Sequence, residues 1–162
     1  MDLNQKLTPH FSLRELVRSD TAARLGIDNT PSEEYTRNLT VLCQEVLERV
    51  REKFGAVRVN SGYRSLALNM SVNPITTSSK ISKHCLGQAA DFEVDGVANV
   101  TLAEWCRDNL PEWDQIILEF YTPGDPNSGW VHVSFVKGKN RKEVLTAVRE
   151  GKQTVYKPGL IA

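Results

Sequence analysis

The sequence predicts an α+β fold, a central antiparallel sheet with helices packed against it, in one domain spanning residues 1–162. Two patterns carry this. Leu39, Leu42, Cys43, Val46, Leu47 and Val50 recur at spacings of three and four, the buried face of a long helix. Further on, the apolar runs Gln115–Tyr121 and Trp130–Phe135 flank Thr122–Gly129, a stretch dense in Pro, Gly, Asp and Asn, which predicts an antiparallel hairpin. With 162 residues the chain can bury one good core, and a second complete domain would be cramped.

In chain order, Ser12 followed by Glu15 predicts a capping box and a short helix starting near Ser12. A loop around Asn29–Pro31 precedes the long helix, which Gly55 ends. Val57–Asn60 alternates as a strand and runs into a turn at Ser61-Gly62-Tyr63-Arg64-Ser65, after which a short helical stretch follows. From Ser71 to Lys83 the chain is rich in Ser, Thr, Asn and Pro, has no period, and reads as a loop flanking a site. Gly87 supplies a turn before the strand Ala90–Val94. Thr101 and Glu104 make a second capping box for a helix whose apolar face includes Trp105 and Leu110. Val144–Val148 and Thr154–Tyr156 flank Glu150–Lys152 and read as a closing hairpin, with a last helix as the alternative.

Twenty basic and twenty acidic residues cancel, so no net field draws the protein to nucleic acid or an anionic membrane surface. Its partner is recognised by a site. The N-terminal residues lead into no apolar run of signal-peptide length, and no stretch is long and apolar enough to span a membrane, so the expected product is a soluble monomer made in the cytoplasm. Three cysteines without close pairing argue against a disulfide framework; Cys43 and Cys106 fall in helical apolar patterns as small buried hydrophobes.

The chemistry is concentrated in His84 and Asp91, within Ser82–Asp91, and in His132, inside the apolar strand Trp130–Ser134. Two imidazoles and a carboxylate leave a tetrahedral zinc one ligand short, the open position that distinguishes a catalytic site from a structural one. His10, beside Pro9 and without an acidic sequence neighbour, reads as an ordinary surface or core residue. Cys85 is a competing fourth ligand, disfavoured because adjacent residues seldom reach one metal from extended chain. Trp105, Trp113 and Trp130 read as core or cleft packing, and Glu93 and Asp95 as facing elsewhere or solvent. If Tyr121 pairs with Trp130, Glu119 lies directly opposite His132 on one sheet face; a one-residue slip would separate them.

Ser82, His84, Gly87, Ala89 and Asp91 match the pattern Ser-x-His-x-x-Gly-x-Ala-x-Asp, and Trp130-Val131-His132 its second half, of the zinc-dependent D-alanyl-D-alanine carboxypeptidases and related phage endolysins. The resemblance covers most of the chain, including Asn60–Ser65 and the opening Phe11–Leu16, which looks like the small phage and prophage members. It implies the Hedgehog/DD-peptidase fold, a zinc ion held by His84, Asp91 and His132, and hydrolysis of peptide bonds in peptidoglycan stem peptides. Acting on the cell wall without a signal would require lysis, a pore or delivery on a virion. One departure is plain. Many members carry an acidic residue three positions before the last ligand, and here that position is Gly129.

Glu119 is the candidate general base, with a rival role in accepting the free N–H of a zinc-bound histidine; Asp125 is the reserve base. Arg64 suits a substrate carboxylate or the oxyanion of the tetrahedral intermediate, and Ser82 is a substrate contact or simply a hydrogen-bonding turn residue. Two function classes follow: a zinc peptidase, either carboxypeptidase or endopeptidase, and a non-catalytic peptidoglycan-binding or virion-structural module that keeps the fold.

Overall fold

The computed structural model describes residues 2–72 and 81–161. Two short strands, β1 (Lys6–Thr8) and β2 (Phe11–Ser12), lead into α1 (Leu13–Val17). Ser12 caps α1 as its pattern predicts: its hydroxyl accepts the Glu15 amide, and the Glu15 carboxylate accepts the Ser12 amide. Helix α2 (Asp20–Leu25) follows, capped by Ser19; the apolar pattern does not announce it, because Ala22 is its one buried residue.

The long helix runs as α3 (Glu33–Leu42), a π turn (Cys43–Leu47) and α4 (Glu48–Phe54), ended by Gly55 at φ 88°. In the π turn the Glu48 amide reaches the Cys43 carbonyl. Cys43, Val46 and Leu47 there are fully buried, so the wider turn keeps them facing the core. His10 is exposed, in keeping with an ordinary residue outside the site, and its Nδ1 and its amide both meet the Glu48 carboxylate, at 2.7 and 2.8 Å.

Strand β3 (Arg58–Ser61), α5 (Leu66–Val72) and a 3₁₀ turn (Lys83–Leu86) come next. The loop expected from Ser71 to Lys83 falls largely on residues 73–80, outside the described residues; Ser71 and Val72 belong to α5. After β4 (Ala89–Glu93) comes α6 (Asn99–Asn109), which corrects the predicted start at Thr101. The N-cap is Ala98, with no side-chain cap. The helix begins early because the buried Asn99 amide donates to the Glu93 carboxylate and to the carbonyls of Ser128 and Gly129, tying its first turn to the neighbouring loop.

Strands β5 (Gln115–Glu119), β6 (Trp130–Ser134), β7 (Glu143–Glu150) and β8 (Gln153–Pro158) complete a six-stranded sheet of order β3-β4-β6-β5-β7-β8. The closing hairpin is formed, so the helical alternative for the last segment does not occur. The sheet is antiparallel except for one pair: β7 runs parallel to β5. One sheet face, with Phe92, Val131, Ile116 and Leu118, packs with Leu42 and Val46 of the long helix and Leu102 of α6 in a single core. Each fully buried Leu or Ile there contributes about 1.5–3 kcal/mol. Strand alternation sends Asp91, His132 and Glu119 to the opposite face. Among the described residues no helix is long and apolar enough to cross a membrane.

Ahead of β5, the buried Asp114 carboxylate accepts from Arg141 Nε and Nη2 at 2.9 and 2.8 Å and from Ser134 Oγ at 3.3 Å. The Arg141 hydrogen bonds hold its carboxyl below the ordinary carboxylate range, against the opposing pull of burial. A depressed folded-state pKa gives stability that is present above about pH 4 and lost as pH falls through the folded value. Arg141 is half exposed, so Asp114→Ala is expected to cost about 2 kcal/mol at pH 7 rather than the larger loss of a wholly buried pair. Urea denaturation at pH 7 and at pH 3 checks this: the gap between wild type and variant should shrink at the lower pH.

Candidate active site

The polar face of the sheet brings the ligand candidates together by register. Ser61, Asp91, His132 and Ile117 are successive direct neighbours across β3, β4, β6 and β5. Directly opposed side chains start about 4.5–5.5 Å apart at Cβ, and His132 Nδ1 accordingly lies 2.9 Å from Asp91 Oδ1. His84 arrives from the 3₁₀ turn, whose start is capped by Ser82: the serine hydroxyl accepts the His84 amide at 3.3 Å. His84 Nε2 then stands 3.4 Å from the same Asp91 Oδ1. All three side chains are buried, and their donor atoms fall within 4.8 Å of one another.

The far side of His84 is set by a backbone. Its Nδ1 donates to the Gly62 carbonyl at 2.7 Å, which leaves Nε2 with a lone pair. That lone pair faces a carboxylate oxygen in a buried pocket, an arrangement of two acceptors that a cation between them resolves. Two imidazoles and one carboxylate suit a first-row divalent metal, so the donor set fits such an ion. Burial pushes His84 down in pKa, more than the nearby Asp91 charge pulls it up. For Asp91 the outcome is reversed: burial would raise it, yet the charges and hydrogen bonds of His84 and His132 hold it far below the ordinary range. His132, also penalised by burial, is carried up by its hydrogen bond to Asp91.

Glu119 shares this face, and its register corrects the sequence reading. Trp130 pairs with Glu119, not with Tyr121, and Ile117 is the residue opposite His132. The shift is two residues, so the face is preserved and Glu119 becomes the diagonal neighbour of His132. Its Oε1 lies 3.8 Å from His132 Nδ1, the nitrogen that also faces Asp91. Burial and the Asp91 charge raise the Glu119 carboxyl to about 7.

Arg64 follows the Ser61–Arg64 turn, which is pinned from two directions. A Cβ at Gly62 would lie 2.3 Å from the Leu16 carbonyl oxygen, so only glycine allows this turn to dock on the end of α1. Asn29 donates to the Val17 and Tyr63 carbonyls and accepts the Ser65 amide. The guanidinium, largely buried, reaches Asp91 Oδ2 at 3.9 Å and donates to Asn69 Oδ1 at 3.3 Å, while its buried Nε has no partner among the described residues. A cavity of about 490 Å³ opens in front, lined by Arg18, Asn60, Tyr63, Arg64, Asp91 and Trp130 among others.

The sequence model of the peptidase M15 family matches residues 9–134. The chain belongs to the peptidase M15 family. Comparison with curated proteins gives no match. The matched span holds all three ligand candidates together with Arg64, Ser82 and Glu119, and it ends at the last residue of β6.

Within this M15 chain the missing acid at Gly129 has a steric cause. Gly129 sits at φ +65°, and a Cβ there would lie 2.1 Å from the Glu119 carbonyl oxygen. No side chain fits there, and Glu119 of β5 is the carboxylate that stands beside His132 on this face. Gly129→Ala is expected to cost about 2 kcal/mol or more, from left-handed backbone strain plus the contact with the Glu119 carbonyl. A thermal melt alongside an activity assay tests it; activity should fall further than stability alone explains, because Glu119 is displaced.

The remaining candidates separate cleanly. Asp125, the reserve base, is an exposed turn residue whose carboxylate accepts the Asn127 amide. Cys85 is buried but does not join the ligand cluster, and all three cysteines are free. Glu93 bonds Asn60 and Asn99, and Asp95 pairs with Arg58. Gly62 marks a turn and Asn29 a loop in the sequence, but their contacts and those of Asn69 join distant segments: the Gly62 carbonyl meets His84, Asn29 ties the backbones of Val17, Tyr63 and Ser65, and Asn69 meets Arg64.

Proposed function

We propose that this M15 chain is a zinc peptidase that hydrolyses a peptide bond in the stem peptides of bacterial peptidoglycan. The observation that carries the reading is the convergence of His84 Nε2, Asp91 Oδ1 and His132 Nδ1, with the Glu119 carboxylate beside them. Zinc bonds of about 2.0–2.1 Å in tetrahedral geometry separate ligand atoms by roughly 3.3 Å, close to the His84–Asp91 distance. The shorter His132–Asp91 contact is a direct hydrogen bond that an ion would open. Bound there, zinc supplies a Lewis acid that polarises the scissile carbonyl and makes water a nucleophile near neutral pH.

The chain's own groups do the rest. Glu119 faces the metal-side nitrogen of His132, which supports proton transfer over a role in orienting the ring from behind. It takes the proton of the attacking water and passes it to the departing amine. Arg64, fixed by Asn69 and with its Nε unpaired, offers its charge to a substrate carboxylate or to the developing oxyanion. Ser82 holds the His84 backbone through its cap, and any contact it makes with substrate is additional to that. The cavity beside Arg64 gives the peptide room.

Mass spectrometry of defined muropeptides after incubation with zinc-loaded protein tests the reading and fixes the bond. Cleaved stem peptides that disappear on chelation and return with zinc are expected. Tight muropeptide binding without any product would instead support the non-catalytic module.

A further inference from the structure

The family match ends at residue 134, and the β7–β8 hairpin lies beyond it. In the sheet order this hairpin extends the site face on the side of Glu119 away from the ligand-bearing strands β4 and β6. Register sets Glu119 beside Ala147 and Ala147 beside Tyr156, so the three side chains share one face in a single row. Ala147 is fully buried and small, whereas Tyr156 is 55% exposed. With strands about 4.8 Å apart, the tyrosine stands two strands from Glu119, and only the small, covered Ala147 lies between them.

Two further features border this row. Phe120, directly after Glu119, has φ 56°, a left-handed conformation rare outside glycine. It packs edge-on against Trp130, at 5.4 Å between ring centroids, and lies under the Arg149 guanidinium at 4.9 Å. Arg149 is two residues past Ala147 on β7 and so shares its face, closing one side while Tyr156 closes the end. Burial and the charges of Glu119 and Asp91 push the Tyr156 phenol up, which keeps it a protonated donor at neutral pH. Its hydroxyl makes no hydrogen bond among the described residues.

We propose that Tyr156 is a substrate-contacting residue: its phenolic O–H donates to the backbone of a substrate residue that passes the exposed side of the tyrosine, on the hairpin side of the scissile bond. The contact rests on the peptidase reading above and adds that the bound peptide extends past the scissile bond over a hairpin the family match does not include. One hydrogen bond to substrate is worth about tenfold in kcat/KM.

The test compares wild type, Tyr156→Phe and Tyr156→Ala, all zinc-loaded, on two muropeptides that share the scissile bond but differ in length on either side. Tyr156→Phe is expected to lower kcat/KM about tenfold through KM on the longer substrate alone, with zinc content and thermal midpoint unchanged. Wild-type kcat/KM for Tyr156→Phe on the longer substrate, an equal loss on both substrates, or a loss accompanied by lower zinc content overturns the contact. Failure of the wild type to cut any muropeptide overturns the stem-peptide reading alone. The same proteins are then compared on a peptide library of mixed length, where a loss of cleavage in the variants confined to peptides that extend past the scissile bond on the hairpin side supports the contact. Identical profiles overturn it, and absence of cleavage there overturns both readings.

Discussion

Replacing Glu119 by glutamine is expected to lower kcat/KM by about 10³-fold while leaving the zinc content of the protein intact. The substitution keeps size and shape but removes the group that accepts the proton, and general acid–base catalysis typically contributes about 10²–10⁴-fold. The rival role makes a different forecast. A carboxylate that only orients a ligating histidine costs about 10–100-fold in metal affinity when lost, and activity then returns at high zinc. Metal titration of Glu119→Gln with activity read at each point separates the two; recovery at high zinc would overturn the base assignment. The pH profile adds an independent check. Burial and Asp91 raise the metal-free carboxyl to about 7, and a neighbouring cation favours its ionised form, so the acid limb of kcat/KM should lie below pH 7. The wild-type rate falls as pH drops through that limb because the base becomes protonated, and Glu119→Gln should lack the limb.

Asp91→Ala is expected to abolish zinc retention and, with it, the stabilisation that the ion provides. Asp91 Oδ1 is the atom that both histidine nitrogens face, so its removal dismantles the site rather than weakening one edge. Zinc at a thousand times its dissociation constant stabilises a folded protein by about 4 kcal/mol, roughly 8–16 °C for a chain of this size. A thousandfold weaker site gains less than about 1 kcal/mol under the same conditions. Calorimetric melts with and without zinc read this directly. An equal zinc-dependent shift in wild type and Asp91→Ala would place the metal elsewhere.

Both predictions rest on residues that could be named before any coordinates. Local chemistry carried that far: Ser12 with Glu15 announces the start of α1, Gly55 the end of the long helix, and the apolar runs Gln115–Tyr121 and Trp130–Phe135 around a turn-rich stretch a hairpin. Its register was two residues off because the loop decides it. Ser128 Oγ accepts the Thr122 amide and bonds the Thr122 and Asp125 carbonyls, and Gly129 lets the chain pass against the Glu119 carbonyl. Neither closeness is visible in a run of turn-forming residues. The period of two nevertheless protected the conclusion, since a shift by two keeps Glu119 on the face of His132. Helix α6 failed differently. Thr101 offers a sound local cap, and the tertiary bonds of Asn99 to Glu93, Ser128 and Gly129 outweigh it.

The sequence by itself determined the donor set, His84, Asp91 and His132, and the sheet face that displays the last two with Glu119, because residue type and strand alternation are local properties. Only the tertiary structure decided which nitrogen of His84 is free, that Glu119 is the diagonal rather than the direct neighbour of His132, and that β7 lies parallel to β5 with Tyr156 in the row of Glu119. Each of these depends on backbones distant in sequence approaching within a hydrogen bond or a van der Waals contact. Such approaches are set by packing of the whole core, and no short window of sequence contains both partners.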